Sequence, residues 1–325
     1  MTRNTIRPLQ LPDVYPTDAA INSRRQSKLH YEPEFWEFEY RTHQYLKNLP
    51  LTDLRQRYIG IAKNLVYLVS PERHVIPLNT FLSSWYWYRK EYQTRLELHL
   101  RGQGTPIELP APLTLKRSDG PQRPRHPNAG DILYRFANEK RIIELSVHGA
   151  LRMWHADFYA KLEKDIARQD EEMTKVSFLN ENHATVTTLD GQPIPIVGNI
   201  QYSHSGPPYY LLCMSCDWDR RLLTEFNVDR CAVISNVDEF ARRLERAASE
   251  LMPGCRFHHN PVEYFDPYEL PPRSYIGHCI SKDFRFAYQR EYRFILMHSE
   301  AQPEVQEFLD IKMGRMTDCL DVWPD

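Results

Sequence analysis

Glycine is scarce in this chain, 12 residues of 325 against 24 prolines, and no stretch matches the glycine-rich loops that cradle nucleotide phosphates. That counts against a nucleoside-triphosphate enzyme. Long apolar runs are missing too. None approaches the roughly 18 residues of a membrane helix, and the opening Met-Thr-Arg-Asn-Thr-Ile-Arg lacks the apolar centre of a signal peptide. No membrane contact and a cytoplasmic location are therefore expected. Of Cys213, Cys216, Cys231, Cys255, Cys279 and Cys319 only the first two stand at metal or redox spacing. Without a second close pair, buried free thiols are the expectation rather than zinc. No internal repeat is visible.

What is present is the composition of an ordinary folded protein, 26% charged and 42% hydrophobic, at a length that suggests two domains. The formal net charge of −2 hides an asymmetry: residues 1–125 carry 19 Lys and Arg against 12 Asp and Glu, residues 126–325 carry 22 against 31. Unless this is surface noise, a basic half meets something acidic: nucleic acid, an acidic partner, or the other half of its own chain.

Residues 1–30 are polar and aperiodic and read as a flexible arm. From Pro33 aromatic and apolar residues recur at helical spacing. Phe35, Trp36, Phe38, Tyr40 and Tyr45 mark a first helix; Leu54, Tyr58, Ile61, Leu65 and Leu68 a second, N-capped by Thr52; Phe81, Trp85, Tyr88, Tyr92 and Leu96 a third. The run Trp85-Tyr86-Trp87-Tyr88-Arg89-Lys90 has the residue types of a base-stacking surface. At helical spacing the plainer reading is core, with Arg89 and Lys90 solvated. Prolines 106, 110, 112, 121, 124 and 127 then mark a linker. It closes a helical N-terminal domain over 31–125 and opens a second domain at 126–325.

The second domain reads as mixed helix and strand. Residues 132–136 form a short strand, Asn138 caps a helix ending at His148-Gly149, and 151–154 are the next strand. Residues 185–196, with Asp190-Gly191 in the middle, are a hairpin. Residues 209–215 are apolar until their end and read as a buried central strand from which Ser215 emerges. Residues 231–234 are another buried strand, and Asn236 with Glu239 starts a helix bearing Phe240, Leu244, Ala248 and Leu251. Residues 275–280 are a weaker strand, 282–286 a loop, and 300–325 a tail on the surface. Residues 288–297 alternate with strand period: Gln289, Glu291 and Arg293 on one face, Tyr292, Phe294 and Leu296 on the other. On one strand face an amide and a carboxylate lie roughly 7 Å apart and can grip one small ligand. A half-exposed strand with solvated charges is the bland alternative.

Arg135 after Leu133-Tyr134, Ser215 closing a buried strand, and Glu291 two residues after Gln289 stand in an order that resembles the ADP-ribosyltransferase fold of the Arg-Ser-Glu type, over residues 131–298. The resemblance implies an α+β domain with an ADP-ribosyltransferase-like split β-sheet, preceded here by a small helical domain. It implies an NAD-dependent transferase, a toxin or phage-defence effector, that breaks the nicotinamide–ribose bond and modifies a protein or nucleic-acid acceptor. Glu291, Gln289 and Ser215 would be its catalytic residues, and Tyr134, Arg135 and Ser215 would bind NAD. In that scheme Glu291 stabilises developing positive charge, Gln289 orients the acceptor, and Ser215 braces Glu291 or the ribose. The chain departs from the family's Ser-Thr-Ser triplet, which is Met214-Ser215-Cys216 here. The wider pattern also resembles uncharacterised bacterial proteins found among prophage and defence genes.

Two other classes use the same residues. A non-catalytic module of a defence or toxin–antitoxin system would bind nucleic acid or protein through the basic helical part and keep the sheet as a scaffold. A metal-dependent nuclease would recruit Asp217, Asp219 and Glu291, but no Glu-x-Lys pair follows an acidic strand.

Overall fold

The computed structural model describes residues 33–68, 84–105, 130–161, 172–179, 185–196, 198–206, 208–268, 275–297 and 306–323. The arm at 1–30, Phe81, and the linker prolines lie outside them. Among the described residues, 33–105 hold no strand. They form α1 (Pro33–His43), α2 (Leu51–Leu68) and α3 (Ser84–Leu100).

Helices α1 and α2 bury residues that their spacing marks, among them Phe35, Trp36, Tyr40, Leu54, Tyr58 and Ile61. Helix α3 keeps the described part of its expected stripe, with Leu96 buried and Tyr88 and Tyr92 half-buried against Phe35 and Trp36, and adds a second, largely polar line. That line includes Trp87, Lys90, Gln93, Thr94 and Glu97, and the polar members are each answered, as burial requires. Gln93 donates to the Trp36 carbonyl at 3.2 Å, Thr94 to the Lys90 carbonyl at 2.7 Å, and the Tyr40 hydroxyl to Glu97. Lys90, expected in solvent, is 2% exposed and lies 2.8 Å from Asp266. Arg57 of α2 grips the same carboxylate with two nitrogens at 2.7 and 2.6 Å. The excess cations of the helical part are thus spent partly on the acidic half of the same chain, where Lys63 also meets Glu225 at 2.5 Å.

The remainder is α+β, as expected. In chain order it runs β1 (Leu133–Ala137), α4 (Glu139–His148), β2 (Ala150–His155), α5 (Ala156–Lys161), β3 (Thr174–Leu179), β4 (Val186–Thr187), β5 (Pro193–Ile194), β6 (Ile200–Ser205), β7 (Tyr209–Ser215), α6 (Arg221–Glu225), β8 (Arg230–Ile234), α7 (Val237–Leu251), β9 (Arg256–Pro261), β10 (Glu263–Phe265), α8 (Tyr275–Cys279), β11 (Ser281–Asp283), a 3₁₀ helix (Phe284–Gln289), β12 (Glu291–Met297), β13 (Phe308–Lys312) and β14 (Leu320–Trp323). The local signals at α4 hold: Asn138 accepts from the Arg141 amide at 3.1 Å, and Gly149 takes φ 60° at the C-terminal end. Two expectations do not. Residues 275–279 are helical rather than extended, and the supposed tail supplies β13 and β14. Leu309 and Ile311 of β13 are buried while Asp310 and Lys312 are exposed, which is strand alternation at a sheet edge.

Eight strands form one antiparallel sheet centred on β7. Along one edge β7 pairs with β12 over its whole length, from Tyr209↔Met297 to Glu291↔Ser215, and β12 pairs on with β9. Along the other edge it is shared. β1 meets it only at Tyr134↔Ser215, and β2 only at Trp154↔Leu211 and His155↔Tyr210. Opposite Cys213 the two strands diverge and the sheet splits, with β8 and β14 beyond β1, and β13 beyond β2.

One face of the sheet is sealed by α4 and α7; Val237, Phe240, Ala241, Leu244 and Ala248 of α7 share a stripe at helical spacing. Leu251, expected in that stripe, is exposed. The opposite face carries α8, the 3₁₀ helix and the N-terminal helices, where Trp87 stacks on Phe284 with centroids 5.7 Å apart.

Candidate functional site

The stretch that alternates in sequence does not run as one strand. Gln289 ends the 3₁₀ helix, Arg290 turns left-handed at φ 46°, and β12 begins at Glu291. A non-glycine residue in that region costs about 1–2 kcal/mol. The turn has a use, because it sends the side chains of Gln289 and Glu291 to the same cation. Lys282 Nζ donates to Gln289 Oε1 at 3.1 Å and to Glu291 Oε2 at 2.9 Å. Arg290 goes another way, toward Asp219 at 3.4 Å and Asp217 at 3.6 Å.

The turn is held from two sides. Asn64 of α2, fully buried, donates to the Phe284 carbonyl at 2.9 Å and accepts from the Tyr288 amide at 2.8 Å. Ser215 Oγ lies 2.9 Å from the carbonyls of both Gln289 and Asp217. Ser215 therefore braces the backbone of Gln289; the expected partners were Glu291 or the ribose.

Glu291 is 4% exposed. Its other oxygen accepts from Arg293 Nε at 2.7 Å, and Arg293 reaches on to Glu172 at 2.6 Å and to the Cys279 carbonyl at 2.8 Å. Lys175 closes the chain on Glu172 at 3.1 Å. The polar face of β12 is thus a buried ion network and not a solvated edge. Burial by itself would raise the Glu291 pKa, but Arg293 and Lys282 overcome it and hold the carboxyl well below its usual range. Glu291 is an anion at neutral pH, unable to act as a general acid. Burial pushes the thiol of Cys213 far up and that of Cys216 up to about 12, so neither is a thiolate.

Where β1 and β2 part, a cleft of about 320 Å³ enters the sheet. Tyr134, Arg135, Ser215, Gln289 and Glu291, named from the sequence as site residues, all line it. Arg135 reaches across the split, donating from Nη1 to the Cys213 carbonyl at 2.7 Å, a backbone group that a continuous sheet would pair with a neighbouring strand. The split and the arginine therefore belong together.

Arg141 of α4, Arg152 of β2 and Lys282 join Arg135 in the lining, while Glu291 is the one carboxylate there among the described residues, and Tyr134, Phe136, Trp154 and Phe226 give aromatic surface. Cationic charge beside aromatic walls suits an anionic ligand that carries a planar ring. Among the described residues no three His, Cys, Asp or Glu side chains gather as metal ligands. Asp219, a ligand in the nuclease reading, is held by Arg221 at 2.9 and 2.7 Å.

Sequence reasoning missed Lys282, Arg293, Glu172, Arg152 and Trp154. Arg293 was on the correct face of the alternating stretch. Lys282 sits in a three-residue strand, too short to show a period. Glu172 is 121 positions from Arg293, and no local pattern links them. Comparison of this chain with protein-family models, with curated proteins and with solved structures returned no match.

Proposed function

We propose that this chain is an NAD-dependent ADP-ribosyltransferase that binds NAD in the cleft between β1 and β2 and transfers ADP-ribose to a macromolecular acceptor. The reading rests on one observation: Tyr134, Arg135, Ser215, Gln289 and Glu291, from three separate parts of the sequence, line a single cleft. The finer fold assignment, an ADP-ribosyltransferase-like split sheet, belongs to the same proposal. Its support is β7, paired continuously with β12 on one edge and shared by diverging β1 and β2 on the other.

The donor set fits the dinucleotide. Arg135 presents a permanent cation for phosphate, and the aromatic walls suit its rings. NAD supplies a glycosidic bond whose cleavage releases neutral nicotinamide and leaves positive charge on the ribose carbon, where the acceptor nucleophile adds. Glu291 faces that charge as a fixed anion. A carboxylate has about four lone-pair sites; Arg293, Lys282 and the Cys213 thiol use one each, which leaves capacity for one ribose hydroxyl. Lys282 and the left-handed Arg290 hold Gln289 beside it.

The test is nicotinamide release from NAD together with transfer of labelled ADP-ribose to protein and nucleic-acid acceptors. Release by the wild type, reduced on the order of 10²–10³ by Glu291→Gln, supports the reading. Absence of release above the protein-free blank sinks it.

One observation favours a second reading, a non-catalytic nucleic-acid- or protein-binding module: both Glu291 oxygens are already engaged by buried cations. Under it Glu291→Gln alters stability alone. Fluorescence anisotropy with nucleic acid over a salt series tests the basic helical part, since phosphate binding weakens steeply with salt.

A further inference from the structure

Among the cations of the cleft, Arg141 and Arg152 are held by carboxylates that do not line it, Arg141 by Glu144 through one nitrogen at 3.4 Å and Arg152 by Asp310 through two. The Arg152 Nε and Nη2 donate to the two oxygens of Asp310 at 2.8 and 3.0 Å, a two-pronged grip across the β2–β13 ladder. Arg152 and Trp154 line the cleft, whereas Asp310 does not. The pair is open to water, with the side chains 25% and 59% exposed, and exposed ion pairs of this kind are weak. A guanidinium fork fits phosphate with the same geometry as carboxylate. Turning Arg152 from Asp310 to a phosphate therefore exchanges one pair of hydrogen bonds for another.

The aromatic partner is adjacent. Trp154 lies opposite Phe308 in the register that sets Arg152 opposite Asp310. Its ring is 5.1 Å from Phe308 and 5.6 Å from Phe158, and the Arg152 guanidinium sits 3.5 Å from the Phe308 centroid and 5.2 Å from that of Trp154. Ring and fork thus stand side by side, as a base and its phosphates do. Volume points the same way. About 320 Å³ is at the small end for ligand pockets, which run roughly 300–1,000 Å³. Arg152 and Trp154 line that same volume, which is of a size for one half of a dinucleotide.

We infer that Arg152 and Trp154 form a nucleoside-diphosphate subsite on the β2 wall of the cleft, with Asp310 holding the Arg152 fork in reserve until a phosphate takes it. This deepens the transferase reading by assigning the half of the dinucleotide remote from Glu291, and ADP carries that half without the nicotinamide riboside.

The experiment is calorimetric titration of ADP and of inorganic pyrophosphate into the full chain and three variants, with circular dichroism as the fold check. The wild type binds ADP. Arg152→Gln weakens ADP and pyrophosphate by about ten-fold or more. Trp154→Ala weakens ADP by about five-fold or more and leaves pyrophosphate unchanged. Asp310→Asn frees the fork and tightens both ligands by about two- to five-fold. That opposite sign is what a merely structural β2–β13 ion pair does not produce. Arg152→Lys, which keeps the charge and loses the fork, serves if the Gln variant misfolds, and its ADP affinity should also fall.

No ADP binding by the wild type, unchanged affinity in a folded Arg152 variant, or weaker binding in Asp310→Asn overturns the inference. Nicotinamide release is measured on the same samples. The stated ADP pattern without release overturns the transferase reading and upholds the subsite; release without the ADP pattern does the reverse.

Discussion

Glu291→Gln tests two things at once, and the ion network makes them separable. In the wild type two buried carboxylates, Glu172 and Glu291, face three cations, Arg293, Lys282 and Lys175. Neutralising Glu291 leaves one carboxylate among three cations at positions no more than 5% exposed. Breaking a buried pair on one side costs about 3–5 kcal/mol, a large part of the 5–15 kcal/mol that holds a typical domain together. The single variant should therefore be markedly less stable in urea titration, whatever its activity.

The double variant Glu291→Gln, Lys282→Met removes one charge of each sign and restores the network's balance. It should recover much of the stability, while nicotinamide release, normalised to folded protein, stays reduced on the order of 10²–10³ because the anion facing the ribose is gone. A single variant as stable as wild type within about 0.5 kcal/mol refutes the network argument. A double variant that regains turnover refutes the catalytic one.

Asp266→Asn should cost about 3–5 kcal/mol in urea titration, because it strands Arg57 and Lys90 without a counter-ion; a loss below about 1 kcal/mol would show that the pair is not buried as described. Stability should also fall on acidification through His278, whose pKa burial and the nearby Lys175 push down to about 4. An unfolded imidazole titrates near 6.5, so the unfolded chain binds the proton first and stability is lost as pH drops from about 6.5 toward 4. His278→Leu should show a smaller drop in urea midpoint between pH 7 and pH 5, and an equal drop refutes the assignment. Gly149→Ala should lower the melting temperature sharply, since its Cβ would lie 2.2 Å from the Gly314 carbonyl oxygen in a residue at φ 60°. The cost should exceed the 1–2 kcal/mol or so of the left-handed backbone alone, and a near-native melt would show that the backbone at Gly314, just after β13, yields easily.

What could be read from the sequence was local. The apolar run of β7, the Asn138 and Asn236 caps and the Gly149 stop follow from spacing and turn chemistry, and each is where these rules put it. The residues of the cleft were legible as types in order, but their setting was not. Alternation from Gln289 to Glu291 persists through Arg290 although the backbone there leaves the strand, and nothing in the neighbouring residues announces a left-handed arginine. Lys90 was assigned to solvent because its helix neighbours give it no partner. Its partner is Asp266, in the loop after β10. Residues 308–312 did carry a period of two, and reading them as a tail overlooked a signal that was there.

The clamp on Asp266 bears on what happens when the chain is cut. Arg57, Lys90, Asn64 and Trp87 on one piece and Asp266, Phe284 and Tyr288 on the other meet through buried contacts that do not involve the peptide between them. A single break within residues 106–129 should therefore leave two fragments that elute together in gel filtration. Prepared separately, one fragment carries buried cations and the other a buried anion, each without its complement, so each is a poor folder by itself and a specific partner for the other. The contact between the two halves is thus part of what folds each of them.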